Sequence, residues 1–89
     1  MANTSPELQQ IRTPADLGQA LRQHRKNRRL TQDLLASLSN VSTGFLSDFE
    51  NGKPTAEIGK VLQTLRTLGL DIYVLPRGSR MPALFEPRK

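Results

Sequence analysis

The chain has 89 residues, of which 36 % are hydrophobic and 24 % charged, enough for one small globular domain. The absence of cysteine excludes a disulfide scaffold, a thiolate zinc site and a cysteine nucleophile. The single histidine, His24, cannot form a histidine-based metal site alone. The net charge of +5 favours a polyanionic partner, and we expect neither a metal site nor a cofactor. The opening segment lacks the charged and apolar blocks of a signal peptide, and no apolar run could span a membrane. We therefore expect a cytoplasmic binding module, with an enzyme the least favoured class.

Three segments follow one another along the chain. Residues 1–12 are polar and show no sustained hydrophobic period, which predicts a flexible N-terminal arm. Residues 13–76 carry every helix and strand signal and are predicted to form the folded domain. Residues 77–89 are irregular, basic and proline-containing, and they are predicted to be a flexible C-terminal tail.

The first predicted helix begins at Thr13, a favourable N-cap, with Pro14 at its first position and Asp16 in its first turn. Helical spacing continues to about Arg28. The residues predicted on one face of this helix are Leu17, Leu21, His24 and Arg28.

Two short helices are predicted next, with N-caps at Thr31 and Ser42. The first of the two has Leu34, Leu35 and Leu38 as its apolar residues. The second runs over residues 43–50, turns Leu46 and Phe49 inward, and ends at Asn51-Gly52.

A fourth helix is predicted to start at Thr55, with Glu57 in its first turn and Gly69 just past its end. Leu70 is expected to fold back on Leu65. The apolar period of this helix comprises Ile58, Val61, Leu62, Leu65 and Leu68.

The period then changes to alternation, which predicts a short strand over residues 70–75 that Pro76 ends. No second strand is evident, and an isolated exposed edge is unfavourable, so we expect the strand to pair with its copy in another subunit. The predicted dimerisation residues are Leu70, Ile72, Tyr73, Val74 and Leu75. Packing of this segment on its own domain is the alternative.

The segment from Leu30 to Lys53 predicts a helix-turn-helix, a motif whose second helix can enter the major groove of DNA. Small polar residues stand outward on that helix. Gln32, at the start of the motif, is expected either to contact a phosphate or to brace the neighbouring helix, and Lys53 is expected to meet a phosphate. A cluster of cations precedes the motif and consists of Arg22, Arg25, Lys26, Arg28 and Arg29.

Several of these residues have a second interpretation. Ser42, Thr43 and Ser47 could be capping and surface residues only. Asp48 could read a base, discriminate against wrong sequences or form an ion pair, because a carboxylate facing DNA is repelled. Phe45 is either partly buried or in contact with a thymine methyl group.

Two stretches carry a family resemblance: L-T-Q at 30–32, and V-S-x-x-x-L-S-x-F-E-N-G-K at 41–53. They resemble the phage-repressor-type (Cro/C1-type, XRE) DNA-binding domain, which implies an all-α fold of four to five helices. Within that superfamily, L-S-D-F-E-N at 46–51 and L-D-I-Y-V-L at 70–75 are similar to the HipB antitoxins.

The HipB resemblance implies a homodimer joined through its C-terminal strands. It also implies binding of a palindromic double-stranded operator upstream of its own operon, and neutralisation of a HipA-like serine/threonine kinase toxin. The recognition-helix positions that match are Ser42, Thr43, Gly44, Ser47 and Asp48. The residues expected to touch DNA outside that helix are Gln32, Lys53, Arg22, Lys26 and Arg29.

Two further pairs of residues have predicted roles. Arg25 and Glu50 match an internal salt bridge that lies behind the recognition helix in the family. Leu84 and Phe85, apolar residues in a polar tail, are either idle or anchors that bind a partner protein. Gly44 and Asp48 depart from the amide or basic residues of many relatives, so the operator sequence cannot be carried over. Two alternatives stay open: a stand-alone repressor of the same fold, and a protein-interaction adaptor that does not bind DNA.

Overall fold

The computed structural model describes residues 8–77. They form four helices, which are α1 (Pro14–Asn27), α2 (Gln32–Ser39), α3 (Thr43–Glu50) and α4 (Ile58–Thr67). Helix α3 packs against both α1 and α2, and α4 packs against α2. The predicted all-α architecture with a helix-turn-helix at α2 and α3 is confirmed. Among residues 8–77, no helix is both long and apolar enough to cross a membrane.

The start of α1 is fixed by a reciprocal capping box. The Thr13 hydroxyl accepts a hydrogen bond of 3.0 Å from the backbone N–H of Asp16. The Asp16 carboxylate in turn accepts from the backbone N–H groups of Arg12, at 2.9 Å, and Thr13, at 3.1 Å. The Arg12 N–H bond is the main reason that the pKa of Asp16 lies below its usual value. The predicted N-terminus of α1 is confirmed.

Helices α2 and α3 begin as predicted, whereas α4 does not. The hydroxyl groups of Thr31 and Ser42 accept from backbone N–H groups at 3.1 and 2.9 Å. The prediction that α4 starts at Thr55, with Glu57 in its first turn, is wrong: Glu57 is the N-cap, and its side chain makes no capping bond. Thr55 instead lies in a turn, and Ala56 packs on the core before the helix begins.

Each helix ends with a residue in the left-handed backbone region followed by a residue whose N–H bonds back into the last turn. After α4, Gly69 (φ 75°) donates to Arg66 and Leu70 donates to Leu65, both at 2.9 Å. This is a Schellman motif, and it confirms the predicted return of Leu70 toward Leu65. The residues with positive φ at the four ends are Arg29, Asn40, Gly52 and Gly69.

The core contains fewer of the leucines than the sequence pattern predicts. Its buried members are Leu21, Leu35, Ala36, Leu46, Phe49, Val61, Leu65 and Leu68. Leu34 and Leu38 on α2 are instead 46 % and 60 % exposed, and Ile58 on α4 is 63 % exposed. Leu62 is exposed as well. Each short helix turns one narrow stripe to the core, so apolar residues one step off that stripe face outward.

Residues 70–75 make no β-ladder with the rest of the described chain. Leu70 packs on the core, but Ile72 and Val74 are 47 % and 92 % exposed. A strand requires a hydrogen-bonded partner, so the pairing of this segment with a second copy stays a prediction. Leu84 and Phe85, and with them the predicted partner-binding tail, lie outside the described residues.

Candidate nucleic-acid interface

Helix α3 is held by its inner side. Leu46 is fully buried and Phe49 is 2 % exposed, so both predicted inner residues are anchored in the core. The turn before α3 is tight because Asn40 adopts φ 58° and the N–H of Val41 bonds to Ala36 at 3.0 Å. The opposite side of the helix is thereby presented outward at a fixed orientation.

A buried ion pair supports α3 from behind. Glu50 accepts two hydrogen bonds from Arg25, from Nε at 2.7 Å and from Nη2 at 2.9 Å. Arg25 Nη1 also donates to the carbonyl of Leu30 at 2.7 Å. The hydrogen bond to Glu50 raises the pKa of Arg25 above its ordinary value. This bidentate geometry ties the end of α3 to α1 and to the turn before α2.

Gln32 contributes a third bond to the same carboxylate. Its Nε2 donates to Glu50 Oε1 at 2.9 Å, and the residue is half-buried. Of the two roles that the sequence left open for Gln32, bracing a neighbouring helix is the one seen here. Contact with a phosphate remains a prediction, and it would have to use the other amide hydrogen.

The predicted recognition residues are gathered on one side of α3, which we call the α3 outer face and define as Thr43, Gly44, Ser47 and Asp48. Ser47 is half-buried and the other three are exposed. Ser42, just before this face, uses its hydroxyl oxygen to cap α3 through the N–H of Phe45. Thr43 donates its hydroxyl proton to Asp33 Oδ1 on α2 at 2.8 Å.

Asp48 faces a cation rather than standing alone. Its Oδ2 lies 3.7 Å from Lys53 Nζ, with both side chains about half exposed. Of the three roles left open for Asp48, the ion pair is the one seen in the structure. This contact reduces the repulsion between the carboxylate and DNA. Such an exposed pair is weak, so a phosphate could compete for Lys53.

Gly44 leaves a gap in the outer face. A Cβ atom at this position would find its closest neighbour, Ser42 Oγ, at 3.9 Å. The fold itself therefore does not require a glycine there. Because Gly44 has no side chain, the backbone of the first turn of α3 can approach a ligand closely.

Phe45 lies beside the outer face and is partly buried. Its ring stacks on Phe49 with centroids 6.2 Å apart and an interplanar angle of 10°. Lys60 Nζ sits 5.7 Å from the centroid of the Phe45 ring. Sequence reasoning missed Lys60, because its position on α4 gives no local sign of the aromatic neighbour.

The predicted phosphate-binding cations lie on the surface of α1 and its exit. Arg22, Lys26 and Arg29 are all exposed, and none takes part in an ion pair among residues 8–77. Arg25 is the exception in the cluster, being 7 % exposed and committed to Glu50. The basic cluster thus separates into one structural arginine and a set of solvent-facing cations.

Comparison with known proteins places this arrangement in a family. Residues 16–75, which run from the first turn of α1 to beyond α4, match the family described as Helix-turn-helix domain. This chain belongs to the helix-turn-helix domain family. A relative from Sinorhizobium fredii (strain NBRC 101917 / NGR234), named as the uncharacterized HTH-type transcriptional regulator y4mF, is 53 % identical over 70 residues. That match covers 79 % of this chain and 92 % of the relative.

The helix-turn-helix chain also has the fold of HipB. It superimposes on HipB in the HipB-O4 20mer complex with a TM-score of 0.73 at 24 % identity, covering 79 % of this chain and 99 % of that one. The HipA-HipB-O2-O3 complex gives the same TM-score, identity and coverage. The predicted resemblance to HipB is confirmed at the level of the fold, and the chain is a helix-turn-helix transcriptional regulator.

Proposed function

We propose that this helix-turn-helix protein is the repressor and antitoxin of a HipBA-like toxin–antitoxin operon. As a homodimer it binds a palindromic operator upstream of its own operon. It also neutralises a HipA-like serine/threonine kinase toxin. The dimer places one α3 in each of two major grooves, about 34–36 Å or a multiple of this apart.

The proposed DNA binding rests on the chemistry of the α3 outer face. Three small polar side chains and one glycine project from a helix whose inner side is anchored by Leu46 and Phe49. The Arg25–Glu50 ion pair limits movement of α3 relative to α1. A rigid helix with short polar side chains is what direct reading of base edges requires.

The cations of α1 and its exit supply the affinity that does not depend on sequence. Arg22 and Lys26 face solvent on α1, which packs against α3, and Arg29 faces solvent just after that helix. Each cation that neutralises a phosphate releases counterions, so binding is expected to weaken steeply as salt rises. Phosphate contacts of this kind set the register of α3 in the groove.

The antitoxin half is supported by the extent of the likeness to HipB. This chain matches 99 % of the HipB chain found in a complex that also contains HipA. The exposed apolar side chains of Ile72 and Val74 lie in the segment through which the homodimer is proposed to form. A dimer would cover this surface and present two copies of α3.

DNA binding is tested with duplexes selected by the purified full chain from a random pool, followed by fluorescence anisotropy on the selected site and on scrambled DNA. Ser47→Ala should lose roughly 1–3 kcal/mol of discrimination between the two if a base hydrogen bond is lost. Ser37→Ala, which changes an exposed serine of α2, is the matched control. Equal loss on both DNAs would assign Ser47 to backbone contact, and failure to select any site would contradict sequence-specific binding.

The toxin half is tested by purifying the tagged chain from its native host with nuclease added, at moderate salt. A stoichiometric partner of kinase size should transfer phosphate from ATP once it is freed, and adding back the purified chain should inhibit that activity. Recovery of the chain alone, as self-associated protein, would contradict the antitoxin role and leave a stand-alone repressor.

A further inference from the structure

We propose that Asp33 on α2 sets what Thr43 can recognise in the major groove. By holding the hydroxyl proton of Thr43, Asp33 makes that oxygen a hydrogen-bond acceptor only, so Thr43 selects the exocyclic amino group of adenine or cytosine. This inference rests on the proposed DNA-binding function and adds a residue outside α3 to the determinants of specificity.

The geometry gives the direction of the hydrogen bond without ambiguity. Thr43 Oγ1 lies 2.8 Å from Asp33 Oδ1. A carboxylate can only accept, so the hydroxyl must be the donor, and a hydroxyl has one proton to give. The lone pairs of Thr43 Oγ1 stay available to an outside donor.

Thr43 is also not occupied in holding its own helix. The N-cap of α3 is Ser42, whose hydroxyl accepts the N–H of Phe45 at 2.9 Å. The neighbouring Gly44 has no side chain, and a Cβ there would be 3.9 Å from its closest neighbour. Thr43 is itself exposed, so a base edge can approach its side chain.

The major groove offers few partners for an oxygen that only accepts. Adenine N6 and cytosine N4 are amino donors, whereas guanine O6 and N7 and thymine O4 are acceptors. Phosphate oxygens are acceptors too, and the negative charge of Asp33 repels them as well. When Asp33 holds its proton, Thr43 can therefore bind an amino group of a base. It cannot donate to the carbonyl oxygens of guanine and thymine or to the phosphates of the backbone.

Asp33 also has a structural role in α2, and the test must separate this role from its effect on Thr43. It lies in the first turn of α2, where a carboxylate favours the helix dipole. Replacing it by alanine therefore removes a charge near DNA and weakens α2 slightly, whatever Thr43 does. The same replacement made in a chain without the Thr43 hydroxyl measures that background.

The experiment compares four full-length proteins: wild type, Asp33→Ala, Thr43→Val, and the double variant. Each is titrated by fluorescence anisotropy with the operator that wild type selects from a random duplex pool. Each is also titrated with every single A→G or C→T change in one half-site, since these changes replace an amino group by a carbonyl. Circular dichroism at the titration temperature checks that all four remain helical.

For wild type, one such change should weaken binding about tenfold. Asp33→Ala should reduce that penalty to about threefold or less, because the freed hydroxyl can rotate and donate to the new carbonyl. In the Thr43→Val background, Asp33→Ala should alter affinity for all the duplexes by one common factor.

Equal changes on all duplexes in both backgrounds would overturn the inference, because Asp33 would then act only through its charge. The inference would also be overturned if every base change that weakens binding by wild type weakened binding by Thr43→Val to the same extent. Failure of wild type to select any operator is a different result: it contradicts the proposed function, and the inference with it.

Discussion

Gly18 on α1 and Phe49 on α3 meet backbone to backbone. A Cβ atom on Gly18 would overlap the carbonyl oxygen of Phe49 and lie 3.4 Å from the Cα of Glu50. The same Phe49 carbonyl accepts the N–H of Gly52 at 3.0 Å, so this oxygen is also part of the turn that ends α3. This close approach sets the distance between α3 and α1. It allows Glu50 Oε2 to lie 2.7 Å from Arg25 Nε.

Gly18→Ala should therefore destabilise the protein strongly. The added methyl group meets backbone rather than a flexible side chain, so we expect a loss at the upper end of the overpacking range of about 1–3 kcal/mol. Gly44→Ala is the matched control, because its site is open and alanine favours a helix by up to about 1 kcal/mol. Urea unfolding followed by circular dichroism measures both, and equal stability of the two variants would contradict the prediction.

Glu50→Ala should cost about 3–5 kcal/mol, because it leaves the guanidinium of Arg25 buried without its carboxylate. The side chains of Arg25 and Glu50 are only 9 % and 2 % exposed. Glu57→Ala is the control: Glu57 pairs with Lys60 at 3.7 Å on the surface, with side chains 68 % and 47 % exposed, and its loss should cost less than about 1 kcal/mol. Similar free energies of unfolding for the two variants would mean that the buried pair contributes no more than a surface pair.

The helix starts could be predicted where a side chain itself closes the first turn. Thr13, Thr31 and Ser42 each accept a backbone N–H, and this bond depends on local sequence alone. The start of α4 was missed because Glu57 makes no such bond. There the boundary depends on how Ala56 meets the core, which is a tertiary contact.

Asp16 should make stability depend on acid pH. Its pKa is lowered in the fold, chiefly by the N–H of Arg12 and also by Thr13, so the carboxylate form favours folding. This contribution is complete above the usual pKa of 3.8 and is lost as the pH falls through the lowered value. The stability difference between wild type and Asp16→Asn should therefore be present at pH 7 and shrink below the usual pKa. A difference that stays constant with pH, measured by urea unfolding, would assign the capping box no titrating role.

The surface cations should determine the salt dependence of operator binding. Arg22→Gln, Lys26→Gln and Arg29→Asn should each lower the slope of log affinity against log salt by about 1 if each cation meets one phosphate. Asparagine is chosen at position 29 because Arg29 has a φ of 60°, which asparagine tolerates. Arg66→Gln, at an exposed arginine of α4 outside the predicted interface, should leave the slope unchanged. An unchanged slope in any of the first three would remove that residue from the phosphate contacts.

The candidate interface shows the same division between local and tertiary information. The outward position of Thr43 and the inward position of Phe49 follow from helical spacing, and they could be predicted. The bonds of Thr43 to Asp33 and of Gln32 to Glu50 join residues 10 and 18 positions apart, so their partners depend on how the helices cross. Leu34 and Leu38 belong to the apolar pattern of α2 and yet are exposed, because spacing identifies an apolar face but not how much of it is buried.

Ile72→Lys combined with Val74→Lys should convert the protein to monomers. Both side chains are exposed in the single chain, so lysine costs its fold little, whereas charges buried between two paired segments would oppose association. The monomer should also bind a palindromic operator more weakly, because the two half-sites are no longer held together. Leu38→Lys, at a leucine of α2 that is 60 % exposed, is the control and should remain dimeric. Sedimentation equilibrium distinguishes the outcomes: a dimer in the double variant would place the interface elsewhere, and monomers in the control as well would implicate α2.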